Sequence, residues 1–90
     1  MDKKAILRLR VTAQKLKPTL HIGKEGLSEK VLEELTRQLK NTKVVKVRVL
    51  GSYEGDRKEI GTSIARKTSS VLVDVRGSTI VLAKDQTGQI

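Results

Sequence analysis

The chain contains no cysteine, no phenylalanine and no tryptophan, and it has only one tyrosine, one histidine and one proline. Without cysteine, disulfides and thiolate metal sites are excluded, and nothing points to an oxidising compartment. Without large aromatics, the core must be made of Val, Leu and Ile. Ninety residues suffice for one compact domain and not for two, and a body of that size buries only about 60–65% of its unfolded surface. Long apolar runs are missing too. None approaches the roughly 20 residues needed to cross a bilayer. Met1-Asp2-Lys3-Lys4 leads into a charged amphipathic segment, without the apolar stretch of about 7–15 residues that marks a signal peptide. The expectation is a soluble cytoplasmic protein with no membrane partner.

Acidic residues are scarce as well. There are 10 against 19 basic ones, a formal charge of +9. In so small a body this points to a polyanionic partner, because Lys and Arg release condensed counterions when they meet phosphates.

What is present is a clear succession of periodic segments. Ile6, Leu9, Ala13 and Leu16 form the seam of an amphipathic helix over Lys3 to Leu16, ended by Pro18. Thr19 to Ile22 reads as a short strand and Gly23-Lys24-Glu25-Gly26 as a turn. Ser28 is a good N-cap for a second helix with Val31, Leu32, Leu35 and Leu39 on its buried stripe to about Lys40, and Leu27 can staple onto Leu32. Lys43 to Leu50 alternates as a strand, Val45, Val47 and Val49 facing one way and Lys46 and Arg48 the other. A loop at Gly51 to Gly55 precedes a third helix, where Asp56 and Glu59 suggest a capping box and Ile60 and Ile64 are buried. Ser70 to Arg76 is a strand with Val71, Val73 and Val75 on one face, and Gly77-Ser78 turns it into Thr79 to Ala83. Residues 84–90 are polar and expected to form a flexible tail. There is no internal repeat.

The expected fold is therefore α/β, one α-β-α-β-α-β-β domain over residues 1–90, in two layers with a four-stranded mixed sheet. Two right-handed crossovers make the first three strands parallel, and the hairpin adds an antiparallel fourth. The Gly23–Gly26, Gly51–Gly55 and Gly77-Ser78 loops should then meet at the carboxyl edge of the sheet, where open α/β sheets bind ligands.

Gly23-Lys24-Glu25-Gly26 is a GxxG turn with a base inside it. Glycines let backbone approach a phosphate, and a helix start supplies N–H donors; a GxxG loop clamps nucleic-acid backbone in KH domains. Charge is concentrated around it. Residues 1–26 balance to +5, residues 27–42 to zero and residues 43–58 to +3. Lys15, Lys17, Lys24, Arg57, Lys58 and Arg76 are candidates to surround that edge.

Leu16-Lys17-Pro18 followed by His21-Ile22-Gly23-Lys24-Glu25-Gly26-Leu27-Ser28 resembles the start of the CRM (chloroplast RNA splicing and ribosome maturation) domain, in particular its stand-alone YhbY-like members. The likeness continues through Val44 to Gly51, Asp56 to Ile60 and Val73 to Leu82, and covers about residues 5 to 83. It implies a fold similar to the carboxy-terminal domain of translation initiation factor three. It also implies binding of structured RNA through the GxxG loop and adjoining basic surface, with Gly23, Lys24 and Gly26 in the loop role. Single-domain members are associated with maturation of the large ribosomal subunit, so rRNA or pre-ribosomal particles are the implied partners. The chain departs from the family after Leu82, where Ala83-Lys84 stands in place of an aromatic and an arginine.

No catalytic constellation emerges. His21 has no evident serine or acid partner, Glu33 and Glu34 suit pairing with Lys30 or Arg37, and Gly23–Gly26 is not a P-loop. No enzyme activity, small-molecule substrate, cofactor or metal is expected. Tyr53 is the one aromatic on the binding edge and could stack on a base, but modules that read single strands need several. Shape, phosphate and 2′-OH recognition of folded RNA by a monomer fits better. The alternative is an architectural protein that binds double-stranded DNA without sequence preference.

Overall fold

The computed structural model describes residues 2–84. Helix α1 (Lys3–Gln14) leads to strand β1 (Leu20–Ile22), helix α2 (Glu29–Asn41), strand β2 (Val44–Val49), helix α3 (Arg57–Thr68), and the hairpin of β3 (Ser70–Arg76) and β4 (Thr79–Lys84). The strands lie in the order β1-β2-β4-β3. β1 is parallel to β2, and β4 is antiparallel to both β2 and β3. The first three strands therefore point the same way, as expected, but the hairpin folds its second strand back into the space between β2 and β3.

Two right-handed crossovers stepping in one direction across a sheet place both helices on the same face. There, α2 and α3 close the main core: Ile22, Leu35, Val47, Ile64, Ile80 and Leu82 are fully buried, with Val45, Val49, Leu39, Ile60 and Ala65 around them. Helix α1 belongs to no crossover and takes the opposite face. Ala13, Val73, Val81 and Ala83 are buried beneath it, flanked by Ile6, Leu9 and Val44. The α/β class, element order and mixed sheet are those expected; the layering is corrected from two layers to three wherever α1 covers the sheet. Ala83 is 1% exposed, its small side chain packed beneath this helix.

Four further expectations change. Helix α1 stops at Gln14, and Lys15 and Leu16 donate back to the Thr12 and Ala13 carbonyls in a tightened last turn. Leu16 consequently leaves the seam and is exposed. The ammonium of Lys46 reaches up from β2 to the Ala13 and Leu16 carbonyls, at 3.0 and 3.2 Å, a favourable place for a cation at a helix C-terminus. In β3 the pairing slips between Leu72 and Asp74. This bulge interrupts the alternation of Val71, Val73 and Val75: Val73 joins the α1 side while Leu72 and Val75 pack on the main core. A bulge leaves ladder groups unpaired, and Arg10 Nε donates to the freed Val73 carbonyl at 3.1 Å while standing 3.9 Å from the Asp74 carboxylate.

Asp56 caps α3 by accepting from Lys58 N–H at 2.8 Å, and on α2 it is Val31, not Leu32, that packs against the main core. Lys84 belongs to β4, its amide donating to the Lys43 carbonyl; the rest of the expected tail, residues 85–90, lies outside the described residues. Among the described residues no helix is long and apolar enough to cross a membrane.

Leu35→Ala should lower unfolding free energy by about 2–5 kcal/mol, the cost of emptying a fully buried leucine site. Val11→Ala, on the exposed face of α1, should change it by less than about 0.5 kcal/mol. Urea denaturation of the two variants measures both.

Candidate nucleic-acid interface

The carboxyl ends of β1, β2 and β3 carry the three loops, and hydrogen bonds stitch them together. Leu50 N–H donates to the Ile22 carbonyl and Val49 N–H to the Ser78 carbonyl, both at 2.7 Å. The clustering expected from topology is thus a single bonded edge.

Within it, the GxxG turn closes through Gly26 N–H on the Gly23 carbonyl at 2.9 Å, which leaves Lys24 and Glu25 at the tip, both exposed. Both glycines have close neighbours. A Cβ on Gly23 would stand 3.3 Å from Ser52 Oγ, and one on Gly26 3.3 Å from the Tyr53 ring. Gly26 also has φ +66°, a conformation that costs an L-residue roughly 1–2 kcal/mol. Tyr53 is half-buried between Gly26 and Gly55 and packs against the main core. It serves as a spacer between the GxxG loop and the second loop.

The two flanks of this edge differ in charge. On the α2/α3 side, the Ser28 hydroxyl takes Val31 N–H at 3.2 Å and Glu29 occupies the first turn of α2. The hollow between the starts of α2 and α3 is lined by Leu27, Tyr53, Gly55, Asp56, Glu59, Ile60 and Ser63. It contains no base and two acids. The helix-start donors of α2 are thus partly used by its own cap and screened by its own acid.

The α1 side is the reverse. Lys3, Lys4, Arg8, Arg10, Lys15 and Lys17 stand on or just after α1, and Lys46, Arg48 and Arg76 on the sheet beneath it, against only Asp2 and Asp74.

The structure distributes the expected site residues unevenly. Gly23, Lys24 and Gly26 form the loop, and Arg76 ends β3 at the same edge. Lys15 and Lys17 stand farther back, since their strap passes over Lys46 and Thr19 N–H pairs with the Lys46 carbonyl at mid-sheet. Arg57 and Lys58 begin α3 and, with Arg10, line a groove of about 530 Å³ along the outer edge of β3. Two residues absent from the sequence-based set lie closer to the loop than these: His21 and its β2 partner Arg48, both exposed. The alternation of β2 already turned Arg48 away from the core; its neighbours depend on strand order. Among the described residues no three His, Asp or Glu side chains come together as a metal site.

Fold and edge together define a small basic α/β module with a glycine-bounded loop and a polyanion-compatible flank. The description CRS1/YhbY (CRM) domain matches residues 1–84, and the chain belongs to that family. It is 40% identical over 83 residues to the Probable RNA-binding protein MJ0652 of Methanocaldococcus jannaschii, an alignment covering 89% of this chain and 60% of that one. It is 31% identical to the Probable RNA-binding protein YqeI of Bacillus subtilis, over 86% of this chain and 80% of the other. It is 32% identical to an RNA-binding protein of Haemophilus influenzae, over 82% and 75%. The solution structure of SAV1595 from Staphylococcus aureus superposes with a TM-score of 0.83 at 31% identity, covering 100% of this chain and 94% of that one. The names of these three relatives denote RNA-binding proteins, not enzymes.

Gly26→Ala should lower thermal stability by about 1–2 kcal/mol because the left-handed conformation and the Tyr53 contact both oppose a Cβ. Gly51→Ala, with open space around its Cβ position, should cost under about 1 kcal/mol. Calorimetry on the two variants distinguishes a rigid loop from a merely permissive one.

Proposed function

We propose that this protein binds structured RNA through the Gly23–Gly26 loop and its basic flank, and that it acts on large-subunit ribosomal RNA during ribosome maturation. The observation that supports this most directly is the presentation of Lys24 at the tip of a turn held rigid by Tyr53 and by the bonded loops beside it. A pre-set loop loses little conformational entropy when a phosphate docks on its backbone. Lys24 supplies charge at the same point, and Arg76 lies along the edge. The ribosomal target follows from the resemblance to stand-alone CRM proteins, and RNA as ligand is in keeping with the names of the relatives.

Recognition is by backbone and shape. One half-buried tyrosine is a poor platform for reading unpaired bases by stacking, whereas phosphate and 2′-OH contacts need only fixed donors and cations. The reading includes a cytoplasmic monomer with no cofactor and no catalytic role. The DNA-architectural alternative has no specific feature of the edge in its favour.

Deproteinised large-subunit rRNA, with duplex DNA as competitor, provides the test. If about four to six phosphates are neutralised, log K should fall against log salt with a slope of roughly −3 to −5. Lys24→Ala should weaken binding several-fold more than Lys40→Ala on the charge-balanced α2. A slope near zero, equal effects of the two variants, or equal displacement by DNA would each refute the reading.

A further inference from the structure

His21, Arg48, Thr79 and Arg76 are successive cross-strand partners, one from each strand, in a single line across the sheet. Their neighbours Leu20, Ile22, Val47, Val49, Val75 and Ile80 all face the main core, so the line faces the other way. Strands stand about 4.8 Å apart, which makes the line about 14 Å long and sets the two arginines about 10 Å apart across Thr79. Helix α1 covers the row behind it, where Ala13 packs with Val81 and Lys46 is occupied by helix carbonyls. It leaves this row open: His21, Arg48 and Arg76 are exposed.

We propose that this row is a second phosphate-contacting surface and that the RNA it accepts is a base-paired stem. One backbone would lie on the Gly23–Gly26 loop and the other on the row. The proposal rests on the loop being an RNA site and extends it to a ligand class. Two features carry it. The row begins two residues before Gly23. The hollow on the opposite side of the loop is lined by Asp56 and Glu59 and no base, the bases of α3 lying in the neighbouring grooves, so a polyanion seated on Lys24 is drawn toward the row rather than into the hollow. The row also has no Phe, Tyr or Trp, the large rings with which sheets of single-strand readers stack unpaired bases. It offers two guanidinium groups, an imidazole and a hydroxyl on a rigid frame, which match the phosphates and 2′-OH groups of a shallow minor groove.

The full chain, its Arg48→Ala/Arg76→Ala variant, the corresponding double lysine variant and Lys24→Ala are compared by fluorescence anisotropy over a salt series. The probes are an RNA hairpin with a stem of about 16 base pairs, an unpaired RNA of the same length and a DNA duplex of the same sequence. Circular dichroism checks that each variant is folded.

The unaltered protein should prefer the hairpin to the unpaired RNA by about tenfold or more. The double alanine variant should lose about 10- to 100-fold on the hairpin, with the salt slope shallower by about 1.5, and little on the unpaired RNA. The double lysine variant should recover part of the loss, and Lys24→Ala should weaken both RNAs. Hairpin binding within twofold of normal in the double alanine variant would overturn the proposal, as would unpaired RNA or DNA binding as tightly as the hairpin. Hairpin loss in the double alanine variant with none in Lys24→Ala would instead refute the loop and leave the row standing.

Discussion

The structure depends on β4 being inserted between β2 and β3. Its alternate side chains enter both cores, Ile80 and Leu82 beneath α2 and α3, Val81 and Ala83 beneath α1. A strand buried on both faces must be apolar nearly throughout, and Thr79-Ile80-Val81-Leu82-Ala83 meets that condition with one polar residue at the open end. With β4 running against its neighbours, β1, β2 and β3 share a direction and deliver their loops to one edge. Without β4 in that position the two arginines of the exposed row would lose the strand that fixes their spacing, and the Val49–Ser78 bond that joins two of the loops would be lost.

A second constraint follows from the shortage of aromatics. Aliphatic side chains can fill two thin cores, but the only aromatic ring is spent on holding Gly26 and Gly55 apart at the edge. The exposed edge is dominated by charge and backbone groups, and the two faces of the sheet divide the charge unequally. The α2/α3 side carries a balanced helix and an acidic hollow; the α1 side carries most of the surplus positive charge. Such a polarised body has a preferred orientation on a polyanion before any contact is made.

Much of this was legible in the residues themselves. Ser28, Asp56 and Pro18 mark boundaries because their local chemistry differs from that of their neighbours, and helix starts and strands fall within a residue or two of where periodicity puts them. The direction of the first three strands followed from their being joined by helical crossovers, and the meeting of the loops followed from the direction. The bulge at Val73 was not legible. Val71, Val73 and Val75 alternate perfectly as sequence, and the slip between Leu72 and Asp74 is decided by two cores on opposite faces and by Arg10 taking the freed carbonyl. Leu16 was misplaced for a related reason: the periodic pattern continues, but the strap to β1 needs those residues more than the helix does.

The site divides along the same line. Local chemistry, a base between two glycines ahead of a capped helix, was enough to single out Gly23, Lys24 and Gly26. It could not gather Arg48 with Arg76 and His21, which are up to 55 positions apart in the chain, because adjacency across a sheet is set by strand order and register. The elements, their directions, the surplus charge and the loop that could meet a phosphate are all properties of local residue chemistry and chain order. Which face carries that charge is set by packing, since α1 belongs to no crossover and its side of the sheet is chosen by where uncovered apolar surface remains.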